Sequence, residues 1–185
     1  DDVEKHSTIA LKSEGDAIVL LGSDSTWDDT EGLAGSEYLE LVHNRIEGQP
    51  VLDLDLEVRV QAVCRDAVRR RLVSSAHDVS DGGLAVAIAE SAIVGGIGAS
   101  ISESPGAGSR RWDAAMFGES QSRILLSVPA DAVTDLEALA AEQNVPVVVI
   151  GVVGGESLAF GDSIAVPLDA VADAWNNGFT AATSD

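Results

Sequence analysis

The sequence predicts an α/β (α+β) fold: a mixed β-sheet with helices packed on it. Short apolar runs at 17–21, 124–128 and 145–153 alternate with stretches whose apolar residues recur at helical spacing. Several of those runs are apolar throughout, so helices are expected to cover both faces of the sheet in part. With 185 residues and 45% hydrophobic content there is material for a core. No shift in composition marks a boundary, so residues 1–185 read as one domain.

In chain order, residues 1–15 are polar, with a possible short strand at 8–11. Gly15-Asp16 turns into a buried strand at 17–21. A loop at 23–32 carries four acidic residues and Trp27; a cation site there is possible, but a solvated loop is the simpler reading. Gly35-Ser36-Glu37-Tyr38-Leu39 starts a short helix with Ser36 as cap. After Pro50, Asp53 or Asp55 caps a long helix reaching about Leu72. Its buried stripe is Val60, Val63, Cys64, Ala67, Val68 and Leu72. Arg69-Arg70-Arg71 falls in its last turn, where cations complement the helix dipole.

The chain is organised around Ser75-Ala76-His77-Asp78-Val79-Ser80-Asp81-Gly82-Gly83-Leu84, a strand end and Gly-Gly turn that open a helix at 85–94. That helix is apolar around almost its whole circumference and should be buried. Asp81 is placed to cap its first turn, and Gly82 and Gly83 permit close approaches. His77, Asp78 and Asp81 are the candidate polar groups of a site on an α/β scaffold, against a plainer reading in which Asp81 caps and His77 fills space. A strand at 97–101 follows, then a Gly/Ser-rich mobile loop at 102–111 and one helical turn at 112–117. Gly118-Glu119-Ser120-Gln121-Ser122-Arg123 leads into the strand at 124–128. Glu119 and Gln121 could point to one side of an extended segment and hydrogen-bond an amide or sugar. Alternatively, Arg123 pairs with a carboxylate and the others are solvated. Pro129 suits the first position of a helix reaching about Gln143. The β-branched run at 145–153 reads as a central strand. Gly154-Gly155 reads as a hairpin turn into strands at 158–160 and 164–166. A final helix at 169–176 packs Trp175 beneath it.

Composition narrows the function classes. No run approaches the ~20 apolar residues of a membrane span, and no signal pattern stands at the N-terminus. A start at Asp1 rather than Met suggests a processed chain or a piece of a longer one. A single cysteine, Cys64, excludes an internal disulfide and reads as a buried, inert thiol, with a cytoplasmic home as the default. There are 31 acidic against 11 basic residues, a net charge of -20, and the only lysines are Lys5 and Lys12. A folded domain with this acidic coat fits a halophile and makes nucleic acid a poor partner. No Walker A loop, dinucleotide fingerprint or nucleophile constellation occurs.

The run from Ser75 to Ser91, with Gly118 to Arg123, Gly35 to Leu39, Gly15 to Gly22 and the terminal Ala174-Trp175, closely resembles the C-terminal region of the phosphoribosylformylglycinamidine synthase large subunit. This family lies in the superfamily related to AIR (aminoimidazole ribonucleotide) synthetase, which also holds selenophosphate synthetase. The resemblance covers nearly the whole chain and implies the C-terminal subdomain of the second half of that subunit. The implied activity is ATP- and Mg²⁺-dependent conversion of formylglycinamide ribonucleotide to its amidine in purine synthesis. Ammonia comes from a glutaminase subunit, and a small accessory subunit is a further expected partner. The family's catalytic His lies upstream of this stretch, so no catalytic residue is expected here. By symmetry with the first half, Asp78 is the implied Mg²⁺ ligand. Asp81, Gly82 and Gly83 are the implied nucleotide contacts, and Glu119, Ser120 and Gln121 the implied substrate contacts, facing an auxiliary site. Ala34 departs from the Gly-Gly-Ser pattern of relatives. Two readings stay open: one wall of a ligase site, or a noncatalytic scaffold.

Overall fold

Ala17–Gly22 forms β1, whose side chains leave alternately in opposite directions. Ile18 and Leu20 enter one apolar cluster, while Val19 and Leu21 enter another. Two cores on opposite faces of one sheet follow from that alternation. The computed structural model describes residues 3–22, 30–102, 111–162 and 164–183.

β1 is flanked by β4 (Arg123–Val128) and β5 (Val147–Val153), both antiparallel to it, with a register shift in the β5 pairing between Ile18 and Val19. β2 (Ser75–Asp78), β3 (Ala99–Ile101), β6 (Ser157–Phe160) and β7 (Ile164–Pro167) complete a sheet of order β2-β4-β1-β5-β3-β6-β7. β3 and β6 are its parallel pair, so the sheet is mixed as expected. α2 (Leu54–Arg69) and α5 (Val133–Glu142) cover one face through Val60, Val63, Ala67, Leu136, Leu139 and Ala140. α3 (Gly83–Gly95) and α4 (Trp112–Phe117) cover the other through Leu84, Ala87, Ile88, Ala92, Ala115 and Met116. Helices on both faces are thus borne out. α1 (Glu37–His43) and α6 (Leu168–Ala182) have no fully buried residue, and α6 touches a core only at its start.

Several expectations need correction. Strand 8–11 reduces to a single bridge between Thr8 and Ser75. Gly154-Gly155 does not close a hairpin: β3 lies between β5 and β6, and the Gly154 amide donates to Gly98 O instead. Pro129 does not open α5; its carbonyl accepts from Ala132 in a turn, and the helix starts at Val133. Trp175 is 57% exposed, because only Leu168 and Val171 at the start of α6 reach a core. Trp27 and most of the two loops lie outside the described residues.

Candidate functional site

β2 is an edge strand paired with β4 from Ser75↔Ser127 to Asp78↔Ile124. Ala76 packs on the α2 side, so alternation sends Asp78 the same way and His77 towards α3. There, His77 Nε2 lies 2.6 Å from Glu90 Oε2, and its Nδ1 lies 3.3 Å from Asp78 Oδ1. The imidazole is thereby held between two carboxylates, while the Asp78 side chain stays 74% exposed. His77 does more than fill space. Glu90 was not foreseen, although a lone carboxylate in an otherwise apolar buried helix is a signal that could have found it.

After β2 the chain turns through Asp81 and Gly82 into α3. Asp81 does not cap this helix. The N-cap is Gly82, in a left-handed conformation with φ 78°, and it makes no side-chain cap bond. Asp81 precedes the N-cap and is exposed, too early in the chain for the position from which a side chain reaches the first-turn amides. The carboxylate that meets this turn comes from 37 residues further on: Gly82 N–H donates to Glu119 Oε1 at 2.8 Å. The same oxygen accepts from Glu37 N–H at 2.9 Å, at the start of α1. Ser36 caps α1 as expected, accepting from Leu39 N–H at 3.3 Å and donating to Leu33 O at 2.7 Å. Gly83, at φ 71°, lies so close to the Gly118 turn that a Cβ would stand 2.6 Å from Gly118 O and 2.8 Å from Met116 O. Three motifs distant in sequence therefore meet at one place.

Arg123 lies beneath them, 4% exposed. Its Nε donates to Ser120 O at 3.1 Å and its Nη2 to Gly118 O. The alternative of a carboxylate pairing gives way to backbone carbonyls, and these bonds fix the turn that carries Glu119. Burial pushes the guanidinium's pKa down to about 10, partly offset by the nearby Glu119 charge, so it stays cationic at neutral pH. Next to it, the Ser122 hydroxyl donates to Glu57 Oε2 at 2.7 Å.

A cleft of about 500 Å³ opens above this arrangement. Asp78, Ser80 and Asp81 form one wall, Glu119 and Gln121 a second, and Glu57 and Gln61 of α2 a third. Glu119 and Gln121 do share one side, as their spacing suggested. Gly82 and Gly83 do not line the cleft but shape the turn behind it. Ser120 is also absent from the walls; its Oγ is buried with no hydrogen-bond partner. Glu57 and Gln61 were missed, although they stand one helical turn apart beside buried Val60. Among the described residues, no group of three or more His, Cys, Asp and Glu is placed to hold a metal ion. What the cleft offers is exposed carboxylates, chiefly Asp78, over a cationic floor.

Residues 13–161 match the family model described as AIR synthase related protein, C-terminal domain. The chain belongs to this family. Curated relatives are phosphoribosylformylglycinamidine synthase subunits PurL. The subunit of Anaeromyxobacter sp. is 43% identical over 189 residues, covering 97% of this chain and 24% of the relative. That of Moorella thermoacetica is 44% identical over 158 residues, 85% of this chain and 20% of the relative. The chain spans about a quarter or less of the length of these relatives. Among solved structures, Thermotoga maritima PurL complexed with FGAR superposes with a TM-score of 0.76 at 20% identity, over 92% of this chain and 30% of that one. Escherichia coli HypE gives 0.58 at 20% identity, over 88% and 52%. At such identities these likenesses show the fold alone, and it is the fold the resemblance implied.

Proposed function

We propose that this chain is the C-terminal domain of an ATP-dependent phosphoribosylformylglycinamidine synthase of purine biosynthesis, a carbon–nitrogen ligase. One observation carries the reading: the motifs on which the resemblance rests meet beside a single cleft, joined by the bonds of Glu119 to Gly82 and Glu37. Solved complexes of Thermotoga maritima PurL with FGAR and with ATP support a nucleotide and a formylglycinamide ribonucleotide as the ligands.

Asp78 would supply one carboxylate to Mg²⁺. Magnesium usually takes one or two protein carboxylates and fills its other positions with water and phosphate, so a single exposed side chain fits. When bound, the ion would offset the negative charge of a nucleotide's phosphates in this acidic cleft. Asp81 is free of capping and lines the same wall, a second candidate contact, while Gly82 and Gly83 set the turn behind it. Gln121 would hydrogen-bond the ribonucleotide's amide or sugar, with Glu119 beside it, while Ser120 would contribute only if its buried hydroxyl turned outwards. None of these residues performs the chemical step. That falls to upstream domains, with a glutaminase subunit supplying ammonia and a small accessory subunit completing the assembly. A run of exposed aliphatics from α1 through the connecting segment to the start of α2, including Leu41, Ile46, Val51 and Leu54, supports a covering by other parts of such an assembly. No helix among the described residues is long and apolar enough to cross a membrane; the cytoplasmic location is part of the synthase reading itself.

Amidine formation from formylglycinamide ribonucleotide, ATP and ammonium by the intact protein tests the reading; its absence overturns it. Residues 1–185 alone are expected to form none. A scaffold role is the second reading, favoured by the Gly82 amide already being engaged by Glu119. Calorimetric titration of Mg-ADP into intact Asp78→Asn separates the two. Weakened binding supports a ligand site, and unchanged affinity supports the scaffold.

A further inference from the structure

We propose that Glu119 is a positioning residue: a single carboxylate oxygen fastens the start of α1 to the start of α3 and thereby holds in place two sides of the cleft, the Ala34-Gly35 segment that leads into α1 and the Asp78 to Asp81 segment that leads into α3. The inference does not rest on the synthase reading, since it concerns how the cleft is held and not what it binds. Glu119 Oε1 accepts from Gly82 N–H at 2.8 Å and from Glu37 N–H at 2.9 Å. Both amides sit where a helix begins and has no partner for them of its own. Gly82 and Glu37 are far apart in sequence, and no strand pairing joins their segments. A charged acceptor makes each bond stronger than a neutral one would.

The turn bearing Glu119 is rigid enough to act as a fastener. Its own amide donates to Gly32 O at 2.7 Å. Arg123 grips the carbonyls on either side of Glu119, those of Gly118 and Ser120, from below. Gly83 abuts Gly118 with no room for a side chain. Loss of the Glu119 carboxylate would therefore release two otherwise unconnected amides at once, with the turn between them still in place.

Hydrogen exchange of the intact protein, read by mass spectrometry on peptides spanning Glu37 and Gly82, tests this. Glu119→Ala should speed exchange roughly tenfold or more at both sites together, because each amide loses its acceptor. Glu119→Gln keeps an oxygen at the same reach and should restore most of the protection; Glu119→Asp, one methylene shorter, should not. Gln121→Ala, on the same turn, should leave both sites unchanged. Acceleration at neither site or only one, failure of Gln to rescue, or an equal effect from Gln121→Ala would overturn the proposal. If Glu119→Ala does not fold, the contrast between the Gln and Asp variants decides alone.

Discussion

Burying a guanidinium with unmet donors would cost several kcal/mol. Arg123 limits that cost by donating to Ser120 O and Gly118 O instead of seeking a carboxylate. Arg123→Met should lower stability by about 2–4 kcal/mol, since two carbonyls lose their donors, and urea midpoints will show it. Arg123→Lys should rescue little, because an ammonium lacks the planar fork that spans both acceptors. Capping offers a sharper contrast. Asp53 accepts from both Asp55 and Leu56 N–H at 3.0 Å, so Asp53→Ala should cost about 1 kcal/mol. Asp81→Asn caps nothing and should stay within about 0.5 kcal/mol of the parent. Asp53 was legible from the sequence because a cap and its helix are neighbours. Asp81 was misread because the left-handed Gly82 takes the N-cap position itself, and the carboxylate that meets the turn comes from another motif. The same non-locality hid Glu90 behind His77.

At the scale of elements, most strands and helices were visible as apolar runs, because burial on one or both faces dictates their period. The order of the strands was not visible. Two strands joined by Gly154-Gly155 default to a hairpin, and only the distant β3 prevents it here. The meeting of α3 with the turn after α4 is likewise a tertiary event, concentrated at Gly83. Alanine in place of a helical glycine normally stabilises by up to ~1 kcal/mol. Here Gly83→Ala should instead destabilise by about 2–4 kcal/mol, combining a left-handed φ with collision against backbone. Thermal denaturation decides, and a raised midpoint would contradict the packing described. Cys64, partly buried on α2, has its thiol pKa pushed up by burial, which fits the inert role its stripe suggested.

For the molecule as a whole, the net charge of -20 on 185 residues sets a strong self-repulsion. Salt shortens its range to a few ångström near 1 M. The melting midpoint should therefore rise between low and molar KCl by several degrees, corresponding to about 1–2 kcal/mol for a chain of this size. An unchanged midpoint would count against adaptation to high salt. This surface property was fully legible from composition, because it depends on no contact. The exposed aliphatics of α1 and α2, with Trp175 and Phe179 on α6, were not, because periodicity marks an apolar face without saying what covers it.

The sheet order also governs when this protein can fold. β1 ends at Gly22, yet its neighbours β4 and β5 begin only at Arg123 and Val147. On the ribosome, an apolar strand bound for the middle of the sheet must wait for more than a hundred further residues before either edge is paired. Pairings so distant in sequence slow folding, and exposed strand edges invite aggregation in the interval. Nascent chains stalled before residue 147 should accordingly be the ones that chaperones hold and proteases cut.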